Sequence, residues 1–103
     1  GKVIMKIMIS QPMKNKTIEQ IEAERKDIVK IFEQNGYEVI DTIFEEDAPN
    51  NCDAGIWYLS KSIEEMSKVD GVFFMKGWKD ARGCRIEYQI AKEYGKFIKE
   101  EIE

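Results

Sequence analysis

Four short apolar segments alternate along the chain with segments of helical spacing, and this alternation restricts the possible folds more than any other feature. The apolar segments cover residues 3–9, 37–41, 71–75 and 97–99. The first is nearly continuous, interrupted only by Lys6. Such a run is typical of a strand that is covered on both faces, as in a parallel sheet.

Three segments between these strands carry helix signals. Thr17 and Gln20 form a capping-box pattern that opens the first helix, and Asn35-Gly36 is a typical end signal. The apolar residues that recur in this helix are Ile18, Ile21, Ile28, Ile31 and Phe32. Apolar spacing also predicts helices over residues 56–68 and 83–94. The order β-α-β-α-β-α-β predicts one α/β domain over residues 1–103 with a parallel sheet and helices on both faces.

Composition excludes several classes of function. The chain has no histidine and two widely separated cysteines, Cys52 and Cys84. These facts argue against most zinc sites, a Ser-His-Asp triad and a Cys-His dyad, so chemistry would fall to carboxylates, Lys, Tyr or Cys. A net charge of −4 disfavours nucleic acid as a partner. No apolar run approaches the roughly 20 residues of a membrane span. We therefore expect a cytoplasmic protein with reduced thiols, no metal and no membrane partner.

In an open parallel sheet the ligand binds beyond the carboxyl ends of the strands. Three predicted loops meet at that edge, over residues 10–16, 42–53 and 76–82. Ser10 and Gln11 follow the first strand, in a position where their side chains could reach a phosphate or a sugar. The stretch has no glycine, so it matches no glycine-rich phosphate loop.

Glu87 is the leading candidate for chemistry at this edge. It lies about one turn into the third helix, after Gly83, which permits close backbone approach at the helix start. The helix dipole predicts an ionised Glu87, and a positioned carboxylate can attack an anomeric carbon. Alternatively, Glu87 only complements the dipole or pairs with a nearby base, and spacing alone favours this role. The same helix terminus predicts a lowered pKa for the Cys84 thiol, which we interpret as a packing residue.

Further residues near this segment could bind a ligand, and each has a structural alternative. Asp70 could bond a sugar hydroxyl or be a turn residue between a helix and a strand. Trp78 could stack on a base or cover the core. Arg82 could clamp a phosphate or form a solvated pair with Asp80.

The segments Ile7–Met13, Val69–Val72 and Gly77–Glu87 together resemble three motifs of the nucleoside 2-deoxyribosyltransferase superfamily. The first is similar to the opening signature Tyr-Ile-Ser/Ala-Gly-Pro-Met/Leu. The second is similar to the segment with an Asp at a strand start. The third is similar to the Gly-Trp-x-x-Ser-x-Gly-Ala-x-x-Glu signature of a small uncharacterised branch in bacteria and phages. The resemblance runs over nearly the whole chain in the same order.

This resemblance implies a three-layer flavodoxin-like (Rossmann-like) fold with about four parallel strands. The transferases break the N-glycosidic bond of a deoxynucleoside through a covalent deoxyribosyl-glutamate, and sister enzymes hydrolyse deoxynucleoside monophosphates. Glu87 would then be the nucleophile and Asp70 would help to hold the sugar. The implied substrate-binding residues are Ser10, Gln11, Met13, Trp78, Asp80, Arg82 and Gly83. No cofactor is implied. The implied partners are a small-molecule nucleoside or nucleotide and further copies of the chain, in a homodimer or larger homo-oligomer.

Two positions depart from the family pattern. Gln11 replaces the signature Gly, which would narrow the approach of a phosphate or sugar. Ala81 stands where the transferases have an Asp six residues before the nucleophile, with Asp80 one residue earlier. An enzyme acting on N-glycosidic bonds and a non-catalytic module that senses or sequesters a nucleotide therefore both remain as hypotheses. A third is an oligomeric scaffold, for which Trp57 or Tyr58 would matter most.

Overall fold

A four-stranded parallel sheet organises the molecule, which the computed structural model describes over residues 3–102. The strands are β1 (Lys6–Ser10), β2 (Glu38–Ile40), β3 (Gly71–Phe74) and β4 (Phe97–Glu100). The helices are α1 (Ile18–Gln34), α2 (Ala54–Met66) and α3 (Arg82–Glu93), and a short 3-10 helix covers Trp78–Asp80. The order across the sheet is β2-β1-β3-β4. Among the described residues, no helix is both long enough and apolar enough to cross a membrane.

The helices lie on both faces of the sheet. With right-handed crossovers, this strand order puts α1 on one face and α2 and α3 on the other. The main core cluster lies on the α2 and α3 side and comprises Met8, Met66, Val69, Val72, Phe74 and Ala91. On the α1 side, the ring of Phe32 packs edge-on against Tyr37 and Phe73, with centroids 5.2 and 5.1 Å away. The predicted three-layer α/β architecture is confirmed.

The first strand is shorter than predicted. Val3, Ile4 and Met5 precede β1 and are 88%, 55% and 40% exposed. The neighbours of β1 explain this difference, because β2 pairs with Lys6 to Met8 only and β3 with Ile7 to Ser10. Residues 3 and 4 therefore precede the paired part of the sheet, and Met5 joins it through its carbonyl oxygen, which accepts from the Glu38 backbone N–H at 2.9 Å.

Helix α1 begins with the predicted capping box. Thr17 Oγ1 accepts from the Gln20 backbone N–H at 3.1 Å, and Gln20 Oε1 accepts from the Thr17 backbone N–H at 2.8 Å. The buried residues of this helix are Ile21 and Arg25, whereas Ile18, one of the predicted apolar positions, is half exposed. The charged side chain of Arg25 thus occupies a core position of α1, where it contacts Gln11 after β1.

Candidate functional site

Buried polar side chains gather at the carboxyl edge of the sheet. In the described part of the chain they are Ser10, Gln11, Arg25, Thr42 and Glu87, each no more than 6% exposed. Ser10 ends β1, Gln11 follows it, and Thr42 lies just after β2. Parallel strands present their carboxyl ends at one edge. There Ser10 contacts Glu87 from α3, and Gln11 and Thr42 contact Arg25 from α1. We call these five residues the buried polar cluster.

Ser10 and Glu87 are joined directly. The Ser10 hydroxyl donates to Glu87 Oε1 at 2.7 Å. Helix α3 presents Glu87 on the face that also buries Cys84 and Ala91. No described residue donates to Glu87 Oε2. Oε2 is therefore the oxygen of Glu87 that Ser10 leaves unengaged.

Burial changes the ionisation of Glu87. Loss of solvent raises the pKa of this carboxyl to about 7, from an ordinary value of 4.5. The hydrogen bond from Ser10 and the positive charge of Arg25 act in the opposite direction. The prediction that the helix dipole keeps Glu87 ionised is therefore wrong, because desolvation outweighs it. The carboxyl instead titrates near neutral pH.

Cys84 lies one turn before Glu87 and is also buried. Burial raises the pKa of its thiol to about 11, and the negative charge of Glu87 adds to this effect, whereas a hydrogen bond with Ser10 opposes it. The prediction of a lowered pKa is wrong for the same reason as at Glu87. A thiol that stays protonated is a poor nucleophile, so the geometry supports the packing role.

Gln11 points to the other face of the sheet, as expected for the residue after Ser10 in an extended segment. Its Nε2 donates to the Ile21 carbonyl oxygen at 3.0 Å and to Glu24 Oε1 at 3.1 Å. Its Oε1 accepts from Arg25 Nε at 2.8 Å. The amide is thus engaged with α1, so this side chain neither narrows the approach to Glu87 nor stays free to bind a substrate there.

Arg25 completes the cluster from α1. Its Nη1 lies 3.5 Å from Thr42 Oγ1 and 3.9 Å from Asp41 Oδ1, and Thr42 Oγ1 in turn donates to the Ile9 carbonyl oxygen at 3.2 Å. Its Nη2 is buried and has no partner among residues 3–102. Burial lowers the pKa of the guanidinium, although the carboxylates of Asp41, Glu22 and Glu87 oppose this shift.

The structure does not bring Asp70 to this site. Its Oδ2 accepts from the backbone N–H of Lys6 at 2.8 Å. Lys6 begins β1 and Asp70 directly precedes β3, so both lie at the amino edge of the sheet. Four residue steps along β1 separate Lys6 from Ser10, a distance of about 13 Å. The sugar-holding role that the resemblance implies for Asp70 does not fit this position.

Trp78 covers the core. Its ring stacks on Tyr88, with centroids 4.4 Å apart and planes 16° from parallel, and lies 5.2 Å from Phe74. Its Nε1 donates to Glu100 Oε1 at 3.0 Å. Of the two roles considered for Trp78, the structure supports the lid over the core, because the ring packs with Tyr88 against the main core cluster.

The other predicted site residues surround the same edge without joining the buried polar cluster. Met13 is exposed in the segment after β1, and Asp80 is exposed in the 3-10 helix. Arg82 begins α3 and is exposed. Its guanidinium lies beside the start of α2, since its Nη2 would be 3.9 Å from a β-carbon at Gly55. A β-carbon at Gly83 would meet no atom within 4 Å, so the start of α3 is open.

A shallow depression of about 220 Å³ opens beside Gln11. Its lining residues are Gln11, Pro12, Lys16, Glu24, Met75, Lys76 and Glu101. This volume is below the roughly 300 Å³ at which ligand pockets begin. Glu87 does not line this depression. A ligand bound there would contact Gln11 and the α1 residue Glu24 instead.

Sequence reasoning missed Arg25 and Thr42. Arg25 had a detectable signal, since it continues the helical spacing of Ile21, Ile28 and Phe32 and stands where an apolar residue is expected. No sequence pattern identified Thr42. It lies near Arg25 and Ile9 because the end of β2 is beside the end of β1.

Comparison with known proteins identifies the family of this chain. Residues 5–100 match the family described as a domain of unknown function, DUF4406. No curated protein and no solved structure matches the chain. Since the match covers nearly all of the sequence, the chain belongs to the DUF4406 family.

Proposed function

We propose that this protein cleaves the N-glycosidic bond of a nucleoside or nucleotide through a covalent glutamyl-sugar intermediate, with Glu87 as the nucleophile. The observation that carries the proposal is the buried hydrogen bond between Ser10 and Glu87. It joins two residues 77 positions apart, one from each of the segments Ile7–Met13 and Gly77–Glu87. These are the segments whose residues resemble the first and last motifs of the transferase superfamily.

The arrangement of the carboxylate suits this chemistry. Glu87 Oε1 is held by Ser10, which leaves Oε2 to attack the anomeric carbon of the sugar. The bond from this carbon to the base nitrogen breaks, and its electron pair leaves with the base, which takes a proton from water. Attack by water, or by a second base, on the same carbon then breaks the ester and restores the carboxylate.

The ionisation of Glu87 is compatible with this role. With a pKa of about 7, the carboxyl is ionised in about half of the molecules at pH 7. Because the group is poorly solvated, the ionised form is more reactive than a carboxylate in water. The Ser10 hydroxyl both orients the carboxylate and lowers its pKa.

A second candidate is a non-catalytic nucleotide-binding module. The observation that favours it is the partner of Glu87, which is a hydroxyl rather than a second carboxylate. Glycoside hydrolysis generally uses two carboxyl groups, one of which protonates the leaving group. Asp70 lies at the amino edge, away from Glu87, and Asp80 is exposed and makes no described hydrogen bond with Glu87.

The test is base release. The protein is incubated with a panel of deoxynucleosides and their 5′-monophosphates, and free base is followed by chromatography. Release by the wild type that is lost in Glu87→Gln supports the enzyme, and equal release by both proteins contradicts it. Calorimetric binding without release supports the binding module. Neither binding nor release for any member of the panel would rule out both candidates.

A further inference from the structure

We propose that Gln11 is a positioning residue of this site, which holds the Ser10 hydroxyl on Glu87 by anchoring the end of β1 to helix α1. Its catalytic meaning rests on the proposed function, whereas its effect on the contact between Ser10 and Glu87 does not. The role follows from the hydrogen bonds of one buried amide and from its place directly after Ser10 in the chain.

The side-chain amide of Gln11 is engaged with α1 through both of its ends. Its Nε2 donates to the Ile21 carbonyl oxygen at 3.0 Å and to Glu24 Oε1 at 3.1 Å, and its Oε1 accepts from Arg25 Nε at 2.8 Å. These partners are three and four residues apart along α1, so they lie on one face of the helix. The side chain of Gln11 is buried, and loss of these bonds would leave buried polar groups without partners, which is unfavourable.

The end of β1 is paired with a neighbouring strand on one side only. The pairing of β1 with β2 ends at Met8, whereas its pairing with β3 continues to Ser10. On the β3 side, the Ser10 carbonyl oxygen also accepts from the Met75 backbone N–H at 2.9 Å. The contacts of Gln11 with α1 therefore add a restraint at the point where β1 leaves the sheet.

This restraint acts directly on Ser10, because the two residues share a planar peptide unit. Their side chains point to opposite faces of the sheet, Gln11 towards α1 and Ser10 towards α3. A shift of Gln11 therefore moves the backbone that carries the Ser10 hydroxyl. The bond from this hydroxyl to Glu87 Oε1 is 2.7 Å long, and such a bond is lost when its two oxygen atoms separate by about a further 1 Å.

The identity of residue 11 agrees with this role. In the motif that the segment Ile7–Met13 resembles, the corresponding residue is Gly, which has no side chain to contact α1. Arg25 in turn stands at a core position of α1 where an apolar residue is expected. These two departures from the expected pattern meet in one contact, the 2.8 Å bond from Arg25 Nε to Gln11 Oε1.

The alternative is a purely structural Gln11, which ties α1 to the sheet without affecting Ser10. A double-mutant cycle on the ionisation of Glu87 distinguishes the two roles. The carboxyl carbon signal of Glu87 is titrated by NMR in the wild type, Gln11→Met, Ser10→Ala and the double variant. Gln11→Met changes no charge, and the Ser10 hydrogen bond lowers the pKa of Glu87. We therefore expect the midpoint to rise by about half a pH unit or more in Gln11→Met.

The Ser10→Ala background shows which group transmits this effect. It has no hydroxyl to misplace, so Gln11→Met should there have less than half of its effect in the wild type. An equal effect in both backgrounds would mean that Gln11 acts through another group that interacts with Glu87, the thiol of Cys84 from α3 or the guanidinium of Arg25 from α1. That result, or an unchanged midpoint in Gln11→Met, would overturn the proposal.

The matched control is Ile21→Val. This substitution loosens the packing of α1 but leaves the carbonyl oxygen that Gln11 contacts. We expect its midpoint for Glu87 to equal that of the wild type. A shift as large as that of Gln11→Met would show that any loosening of α1 has this effect, and would contradict a specific role of the amide.

Folding failure does not leave the question open. If Gln11→Met does not fold, the cycle is repeated with Gln11→Asn, whose amide stays polar but is one methylene group shorter. Failure of both variants would make Gln11 a residue that the fold itself requires and would overturn the positioning role. The titration uses no substrate. Absence of base release together with a positive cycle would therefore remove the proposed reaction and leave the action of Gln11 on the contact between Ser10 and Glu87.

Discussion

Ser10 and Glu87 lie 77 positions apart in the chain, yet the Ser10 hydroxyl donates to Glu87 Oε1 across 2.7 Å with both side chains almost fully buried. The contact links the end of the first strand to the middle of the last helix. It also counteracts the burial that drives the pKa of Glu87 towards 7. The first prediction follows from this balance.

Replacing Ser10 by Ala should shift the ionisation of Glu87 to higher pH. The hydrogen bond from Ser10 lowers the pKa of this carboxyl, so its loss leaves desolvation less opposed and moves the pKa above about 7. The acidic limb of kcat/KM for base release should move in the same direction. Ser67→Ala is the matched control, because its exposed hydroxyl donates only to the Glu64 carbonyl oxygen. An unchanged acidic limb in Ser10→Ala would contradict this account.

Glu87→Gln should stabilise the protein at alkaline pH. The native state retains the Glu87 proton between about pH 4.5 and 7, where the unfolded chain has lost it, so the contribution of this group to stability falls as pH rises through that window. The variant should gain up to about 3 kcal/mol in the free energy of unfolding at pH 8, and little at pH 4.5. Urea denaturation at both pH values measures the difference. Glu93→Gln, an exposed position on the same helix, should show no such gain, and a pH-independent effect of Glu87→Gln would count against the shifted pKa.

The alternation of strands and helices was sufficient to predict the fold and the edge of the sheet at which Ser10 lies. The position of Asp70 also follows from topology, because a residue before a parallel strand lies at the amino edge of the sheet. The ligand-binding role considered for Asp70, which the resemblance reinforced, left this topology out of account. The extent to which each polar side chain is buried could not be predicted from the sequence, because it depends on how helices α1 and α3 cover the ends of the strands. Burial reverses the expected pKa shift at Glu87, and the charged Arg25 occupies a core position.

Asp70→Asn should leave catalysis nearly unchanged. The Asn carbonyl oxygen can still accept from the Lys6 backbone N–H, and the site lies at the opposite edge of the sheet. We expect kcat and KM for base release within about twofold of wild type, since a residue that acts on the transition state would have a far larger effect. A large loss of kcat with unchanged folding would show that Asp70 reaches the substrate, and would support the role that the resemblance implies.

The two cysteines should differ in reactivity. Cys52 is exposed, whereas Cys84 is 4% exposed and burial raises its pKa to about 11. A thiol reagent at pH 8 should therefore label one cysteine quickly in the native protein and both in urea. Peptide mapping should find the fast label on Cys52. Rapid native labelling of Cys84 would mean that the Ser10 and Glu87 environment is open to solvent.

The proposed reaction requires a covalent bond between Glu87 and the sugar, and this bond can be trapped. The protein is incubated with 2′-fluoro analogues of the deoxynucleosides and deoxynucleotides, which slow the breakdown of such an ester, and the intact mass is measured. We expect a gain in mass equal to one sugar or sugar phosphate without its base, mapped to the peptide that contains Glu87 and absent from Glu87→Gln. Base release by the wild type with no adduct, or with an adduct on another residue, would contradict it.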